Sequence, residues 1–552
     1  MDNNNVTGAA TEFLSTHRPP AFGTTGAVAS PHYLATQAGQ EILKDGGHAV
    51  DAAIGMNAVL CVVYPHMAGL GGDLFSLIWT NKNGKVDAIN GSGKSGENVT
   101  IDYYRNNGHE EIPERGPLAA NTVPGTVHAW WEIHQKYGKK EWESLFKYAI
   151  HYAEQGFPVS QKFSDFIPEK KDVLELHEET KKIFMKDGNI LKEGDLFVQS
   201  DLARSLKLIA SEGPSVFYSG EIAEKIISSL EKHGGLLTKN DLNNHKSEWQ
   251  EPLQSSYRGY DVFQIRPNTQ GLASLIILNI LDEFNLKELG DNTADYYHLM
   301  AEATKLAFLY RDEWVTDENY MEREPEELIA KEIGKELAKQ IQFDRVSPAL
   351  ERQKSLPLFK ENKDTTYMCA VDEEGNACSL IQSIYHEFGS GFVPEGTGFI
   401  LQNRGSFFEL DPEHPNALAP GKKTFHTIIP AMMLKDGKPF MLYGSMGGEG
   451  QPQTQAAIAT RVVDFGYNIQ QAIEAPRWLH GKTWGEESKT FKLESRISKD
   501  ITDELDKRGQ LVERVENWTG TMGHAQGIII DRERGVLSAG ADPRGDGIGL
   551  SW

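Results

Sequence analysis

The order of hydrophobic patterns along the chain predicts one large mixed α/β body. Three observations carry that expectation. Residues 31–90 combine helical periodicity with a strand hairpin, residues 126–350 are mainly helical, and strand patterns return in pairs from Thr365 onward. Length alone would allow roughly three or four domain-sized units. No internal repeat, low-complexity linker or obvious boundary divides the chain, so one body is the simpler expectation.

In chain order, "PHYLATQAGQEILKDGGHAVDAAIGMNAVLCVVYP" (31–65) carries apolar residues at helical spacing, broken at Gly46-Gly47 as a helix C-cap and turn would break it. Two packed helices follow from this. "GLGGDLFSLIWTNKNGKVDAIN" (69–90) reads as a β-hairpin turning at Asn83-Gly84. The helical middle is interrupted by a strand-like "YRGYDVFQI" (257–265), and "EREPEELIAKEIGKELAKQI" (322–341) reads as one amphipathic helix with a solvated charged face. Beyond it, Tyr367–Val371 and Ala377–Ile381 flank a turn at 372–376. "TIIPAMMLKDGKPFMLYG" (427–444) and "HAQGIIIDRERGVLSAGAD" (524–542) are two further hairpins.

Composition is that of a soluble globular protein, with 39% hydrophobic and 24% charged residues. A formal net charge of −23 argues against nucleic acid or an anionic membrane as partner, since both repel it. Three cysteines (Cys61, Cys369 and Cys378) make no disulfide framework and favour a reducing compartment. The N-terminal "MDNNNVTGAATEFLSTHRPP" lacks a basic start followed by an apolar stretch, and the longest apolar-leaning run, Ala52–Tyr64, is short for a membrane span. The expected location is the cytoplasm.

Several chemistries lack their signatures. HExxH, paired CxxC and GxSxG are absent, and His66, His386, His426 and His524 are scattered without metal-ligand spacing, so neither a metal nor a cofactor is expected. "AINGSGKSG" (88–96) satisfies a relaxed P-loop, but β-branched and turn residues stand where its helix should start. "GLGGD" (69–73) resembles a dinucleotide fingerprint only loosely. More informative is "YGSMGGEGQPQTQ" (443–455), which gathers glycines between a strand and "AAIATRVVDFG", read as a helix. Consecutive N–H groups at such a junction form an anion nest, suited to a carboxylate, a phosphate or an oxyanion.

The polar run that ends in "KDTT" (363–366) has a bland reading, in which threonine simply opens an edge strand. Its wider context favours another. "KDTTYMCAVDEEGNACSL" resembles the nucleophile segment of γ-glutamyltransferases (glutathione hydrolases). The likeness extends along nearly the whole chain through "GGHAVDAA" (46–53), "PGTVHAWWEIHQKYG" (124–138), "GPSVFYSGEIAEKI" (213–226), "GGLLTKNDL" (234–242), "YRGYDVF" (257–263), "APRW" (475–478) and "ADPR" (541–544). The resemblance implies the αββα sandwich of the N-terminal-nucleophile hydrolases. It also implies a zymogen cut between Asp364 and Thr365 into fragments 1–364 and 365–552 that stay together, and it allows a homodimer of that unit.

Such a cut has a chemical logic. A threonine hydroxyl needs a base beside it to become a nucleophile. Cleavage before Thr365 creates an α-amino group on the same residue, and its reference pKa of about 7.7–8.0 lets it serve as that base. The resemblance further assigns Ser383 to a hydroxyl that orients the nucleophile, Gly447 and Gly448 to the oxyanion hole, and Thr427 to a pocket for the substrate's carboxylate.

Departures from the family pattern concern the substrate. The Arg that grips the glutamyl α-carboxylate is missing from "INGSGKSG" (89–96), and the Asp that holds the α-amino group is replaced by Phe407 within "QNRGSFF" (402–408). Arg404 is new there, His426 replaces a pocket Ser, and Tyr385 replaces an Asn. The pattern looks more like the branch containing oxamate amidohydrolases and acylase-like proteins. The expectation is an autoprocessing amidohydrolase acting on a small, carboxylate-bearing amide, with Arg404, Tyr385, His426 and Thr427 at the substrate. The alternatives are a true γ-glutamyltransferase acting on glutathione, a nucleotide-dependent enzyme built on "GSGKS", and an uncleaved, inactive binding scaffold.

Overall fold

Each hairpin expected from the sequence forms, and each adds its strands to one of two sheets. The computed structural model describes residues 16–186, 188–348, 364–481 and 490–552. Before the Asp364–Thr365 bond the sheet strands are β1 (Ala21–Gly23), β2 (Ala27–Ser30), β3 (Asp73–Trp79), β4 (Val86–Gly91), β5 (Glu248–Gln250), β6 (Leu253–Tyr257) and β7 (Tyr260–Gln264). Strand β8 (Asp364–Val371) contains that bond. After it come β9 (Ala377–Tyr385), β10 (Ala431–Lys435), β11 (Lys438–Ser445), β12 (Ala525–Asp531), β13 (Val536–Ala541) and β14 (Ile548–Ser551).

The first sheet has the order β1-β13-β12-β11-β10-β7-β6 and the second β14-β2-β8-β9-β3-β4-β5. Neighbouring strands run antiparallel throughout. Strand alternation decides which side chains meet between the sheets. Phe75, Leu77, Tyr367 and Cys369 from one sheet pack there against Phe263, Met432, Leu442 and Ile528 from the other. Their neighbours Leu74, Ile78, Met368 and Ala370 point to the opposite face, into helices α1 (Tyr33–Lys44), α2 (Ala49–Val63) and α3 (Thr126–Tyr137). The first sheet is covered by α4 (Gly271–Leu281), α5 (Ala294–Trp314) and α6 (Gly450–Val463). The layers are helix, sheet, sheet, helix, as expected.

This layering explains α2, where all fifteen residues are buried. A helix buried all round needs neighbours around its whole circumference, and these include α1, α3 and the sheet. Its two polar side chains are paired, Asp51 with the His48 N–H and Asn57 with Trp130 Nε1. No described helix is long and apolar enough to cross a membrane.

Two elements differ from the reading of the sequence. The segment 322–341 is not one helix but two, Pro325–Leu328 and Lys331–Ala338, because Leu328 and Ile329 turn inward and the Ile329 carbonyl accepts a 2.8 Å bond from Asn279 Nδ2. Helix α6 starts at Gly450, six residues before the predicted Ala456. Pro452 is tolerated there because first-turn N–H groups have no intrahelical acceptor to lose.

The blocks "APRW" and "ADPR" meet in a buried ionic cluster. Asp542 lies 2.5 Å from Arg477 and 3.0 Å from Arg544, which also holds Glu494 at 2.6 Å. Arg477 Nη1 donates to the carbonyls of Met522 and Gly523, both at 2.9 Å. The next residue, His524, accepts the Met446 N–H at 3.0 Å, so the cluster braces the end of β11.

Candidate active site

Strand β8 is interior to its sheet, between β2 and β9, and Thr365 lies near its start, almost wholly buried. Asp364 pairs with Tyr385 but Thr366 pairs with Gln382, so β9 sets two residues, Ser383 and Ile384, against Thr365 alone. That is a β-bulge, a device that re-aims side chains beside a site. Its cost falls on Tyr385, whose φ of +80° is rare for a residue with a Cβ. The Ser383 hydroxyl accepts the Tyr385 N–H at 2.8 Å and holds the bulge in place. The two threonines differ in their contacts. Thr366 Oγ1 donates to the Gln382 carbonyl at 3.2 Å, whereas Thr365 Oγ1 accepts from Gln451 Nε2 at 3.4 Å. Gln451 Oε1 accepts the Ile429 N–H at 2.9 Å, which turns its amide nitrogen toward Thr365.

The glycine loop joins β11 to α6. Gly447 and Gly448 have φ of +121° and +49°, conformations open to glycine at little cost. The Gly448 carbonyl accepts Gln270 Nε2 at 2.9 Å, and no acceptor among the described residues takes the Gly448 N–H. Gln270 Nε2 also donates to the Thr427 carbonyl at 2.6 Å, joining the loop to a predicted pocket residue.

Arg404 is buried, with its guanidinium 4.0 Å from the centre of the Tyr385 ring. Burial pushes it down to about 10, against the pull of Tyr385 and Asp73. Phe407 packs edge-on to Tyr385 at 5.7 Å and stacks on Phe425 at 5.2 Å, an apolar role where the family pattern has a charge. His426 Nε2 lies 3.2 Å from Asp73 Oδ2. Asp73 Oδ1 accepts from Gln402 Nε2 at 3.0 Å and from the N–H groups of Gly93 and Gly125 at 3.2 and 3.3 Å. Burial raises the Asp73 carboxyl to about 7, against Arg404 and these donors. Burial also holds His426 well below its ordinary value, with Arg404 adding to the effect. The imidazole is therefore neutral near pH 7.

Thus Thr365, Ser383, Tyr385 and Arg404 gather around the bulge, and Gln270 joins Thr427 to Gly448. Asp73, Gln451 and Gln270 were missed in the sequence. "GLGGD" offered a signal in the acidic residue that opens a strand, and "GQPQTQ" offered another. Gln451, Gln453 and Gln455 are all buried in α6. Gln451 and Gln455 both bond to the Ile429 backbone, Gln453 donates to the His480 carbonyl, and Gln455 also accepts from Gln264. The relaxed P-loop is excluded as a phosphate cradle by its own hydrogen bonds. Gly93, Ser95 and Gly96 donate their N–H groups to Asp73, Lys422 and Asn121, and the next helix begins only at Ile101.

Comparison with known proteins identifies the family. A sequence profile of the family described as gamma-glutamyltranspeptidase matches residues 35–552. The chain belongs to the gamma-glutamyltranspeptidase family. It is 46% identical to the glutathione hydrolase-like YwrD proenzyme of Bacillus subtilis, an alignment covering 95% of this chain and 98% of that one. It is 40% identical to the oxamate amidohydrolase proenzyme of Klebsiella pneumoniae, over 96% and 99% of the two chains. Among solved structures, cephalosporin acylase from Bacillus halodurans superposes with a TM-score of 0.89 at 37% identity, covering 98% of each chain. The protein is therefore a hydrolase of the gamma-glutamyltranspeptidase family with the sandwich fold that the strand order describes.

Proposed function

We propose that this family member is an autoprocessing threonine amidohydrolase that cleaves small, carboxylate-bearing amides through an acyl-enzyme. The observation that carries the reading is the surroundings of Thr365. Its oxygen faces the Gln451 amide, a bulge sets Ser383 against it, and Gln451 itself opens the helix that follows the glycine loop. In self-cleavage, Thr365 Oγ attacks the Asp364 carbonyl carbon, the C–N bond breaks to an ester and a free α-amine, and water hydrolyses the ester. In turnover, that amine takes the Oγ proton as Oγ attacks the substrate carbonyl. The N–H groups of Gly447 and Gly448 stabilise the oxyanion, the leaving nitrogen departs protonated, and water releases the acid.

Interleaved strands support fragments that stay together. From before the cut, β2 pairs with β8, β3 with β9 and β7 with β10, so separating the fragments would tear both sheets.

Substrate choice rests on Arg404. A guanidinium can bind a carboxylate through two parallel hydrogen bonds. One observation favours the alternative, a γ-glutamyl substrate: the Asp73 carboxylate, which could answer an α-ammonium group. Its oxygens, however, already accept three donors and face His426, so the pocket offers the substrate a neutral imidazole and not a bare anion.

Steady-state kinetics of the processed protein test this with oxamate-like and γ-glutamyl amides. The expected result is a higher kcat/KM for the short acidic amides, lowered roughly 10- to 150-fold by Arg404→Met, since a hydrogen bond to a charged group is worth about 1.5–3 kcal/mol. Faster turnover of γ-glutamyl amides, with Arg404→Met indifferent to both classes, would restore the glutathione hydrolase.

A further inference from the structure

We propose that Gln270, itself fixed by Arg311, is a positioning residue that aims the oxyanion loop from the opposite side of the cleavage point. The inference rests on the function proposed above and concerns how that site is held.

Gln270 stands at the N-cap of α4, yet its side chain makes no capping bond to its own helix. It reaches instead to the small-fragment side. Nε2 donates to the Gly448 carbonyl at 2.9 Å and the Thr427 carbonyl at 2.6 Å, and its backbone N–H donates to the His426 carbonyl at 2.9 Å. Its oxygen accepts Arg311 Nη1 at 3.1 Å. That contact decides which end of the amide faces the loop, because a guanidinium can only donate.

Arg311 is equally committed. Nη2 meets Glu449 at 2.7 Å, Nε meets Asp312 at 2.6 Å, and the Phe308 ring lies 3.8 Å away. One buried arginine therefore holds Glu449 directly and Gly448 through Gln270. Two consecutive residues of the loop are pinned from the same point.

A peptide plane carries its carbonyl and the following N–H in opposite directions. Gly448 is a glycine at φ +49°, free to rotate unless something holds it. Gln270 and Glu449 fix the plane after Gly448. The plane before it, which carries the N–H left without a described acceptor, is fixed by the Gly447 carbonyl accepting the Gly450 N–H at 2.7 Å. Gln270 thus holds the far end of the same tight turn that presents this donor. A glutamine that only satisfied buried carbonyls would stabilise the fold. One that aims the donor acts on the transition state, and the two differ in what they change. Both Gln270 and Arg311 precede Asp364, so the loop keeps its geometry only while the fragments remain associated.

Gln270→Glu tests this without touching the loop's backbone. The shape is kept and Arg311 still has its acceptor, but an oxygen now faces the two carbonyls. Losing one aimed donor typically costs ~10²–10³ in rate, and the expected kcat falls by that factor with KM within about threefold of wild type. A boronic acid carrying the acyl group, which forms a tetrahedral adduct on Thr365, should lose affinity by the same factor, while the free acid product should not. Glu449→Gln, at the partly exposed end of the network, should give a smaller loss of the same kind and keeps the test open if the first variant does not fold. Unchanged kcat and boronate affinity in a folded variant, or equal losses for boronate and product, would overturn the proposal. A wild type that turns over no amide would instead sink the function it rests on, and the two failures are read from the same plate.

Discussion

Thr365→Ala is expected to run as one intact chain on a denaturing gel and to hydrolyse no amide, whereas the wild type runs as two fragments, the smaller beginning at Thr365. The substitution removes the only atom that can attack the Asp364 carbonyl from within the same residue. Loss of a nucleophile in a comparable hydrolase costs on the order of 10⁶ in kcat, enough to take both reactions below detection. The fold should survive, since β8 is held to β9 and β2 by backbone pairing that alanine keeps, and the alanine methyl fits where the threonine side chain sat. Two controls sharpen the result. Thr365→Ser keeps the oxygen and should still cleave. Thr366→Ala should also cleave, because that hydroxyl donates to the Gln382 carbonyl across the bulge at 3.2 Å and not toward the Asp364 carbonyl. N-terminal sequencing decides the assignment: a small fragment that starts anywhere but Thr365 moves the nucleophile elsewhere.

Asp542→Asn should be the most destabilising single change away from the site, by about 3–5 kcal/mol, read as a shifted urea midpoint. Burial alone would raise the Asp542 carboxyl, but Arg477 and Arg544 override it and hold it well below the usual carboxylate range. The carboxylate also accepts the N–H groups of Ala525 and Arg544, both at 3.0 Å. Asparagine is neutral and leaves the buried Arg477 guanidinium without its carboxylate partner, while Glu494 is already engaged by Arg544 and Arg496. The sign of the pH dependence follows from the lowered value. A carboxyl whose folded pKa lies below its unfolded one contributes stability above the unfolded value and loses it as pH falls. The gap between wild type and variant should therefore be full at pH 7 and close progressively below about pH 4, where the unfolded carboxyl protonates. An equal gap at pH 7 and at pH 2.5 would mean that packing, not charge, holds this corner. Because Arg477 also grips Met522 and Gly523 beside His524, a milder loss of turnover should accompany the loss of stability.

Much of this protein was determined by local pattern. The hairpin turns carry glycine or aspartate at positive φ, as at Gly84, Asp436 and Gly437, and period-two alternation sends Tyr367 and Cys369 to one face and Met368 and Ala370 to the other. Thr365 at a polar-to-strand junction, the paired glycines before a helix and the family blocks were legible for the same reason: each is a run of adjacent residues. What only the tertiary structure decided is how that chemistry is held. Asp73 meets His426 across 353 positions, Gln270 meets Gly448 across 178, and Gln451 meets Thr365 across 86. Single polar residues such as these carry no periodicity, and the Ser383–Ile384 bulge arises from how β9 registers against β8, so nothing near them in the chain announces their partners. Burial supplies the physical reason they find one another. A polar group removed from water must be paired, and only the packed sheets and helices determine which distant group is within reach.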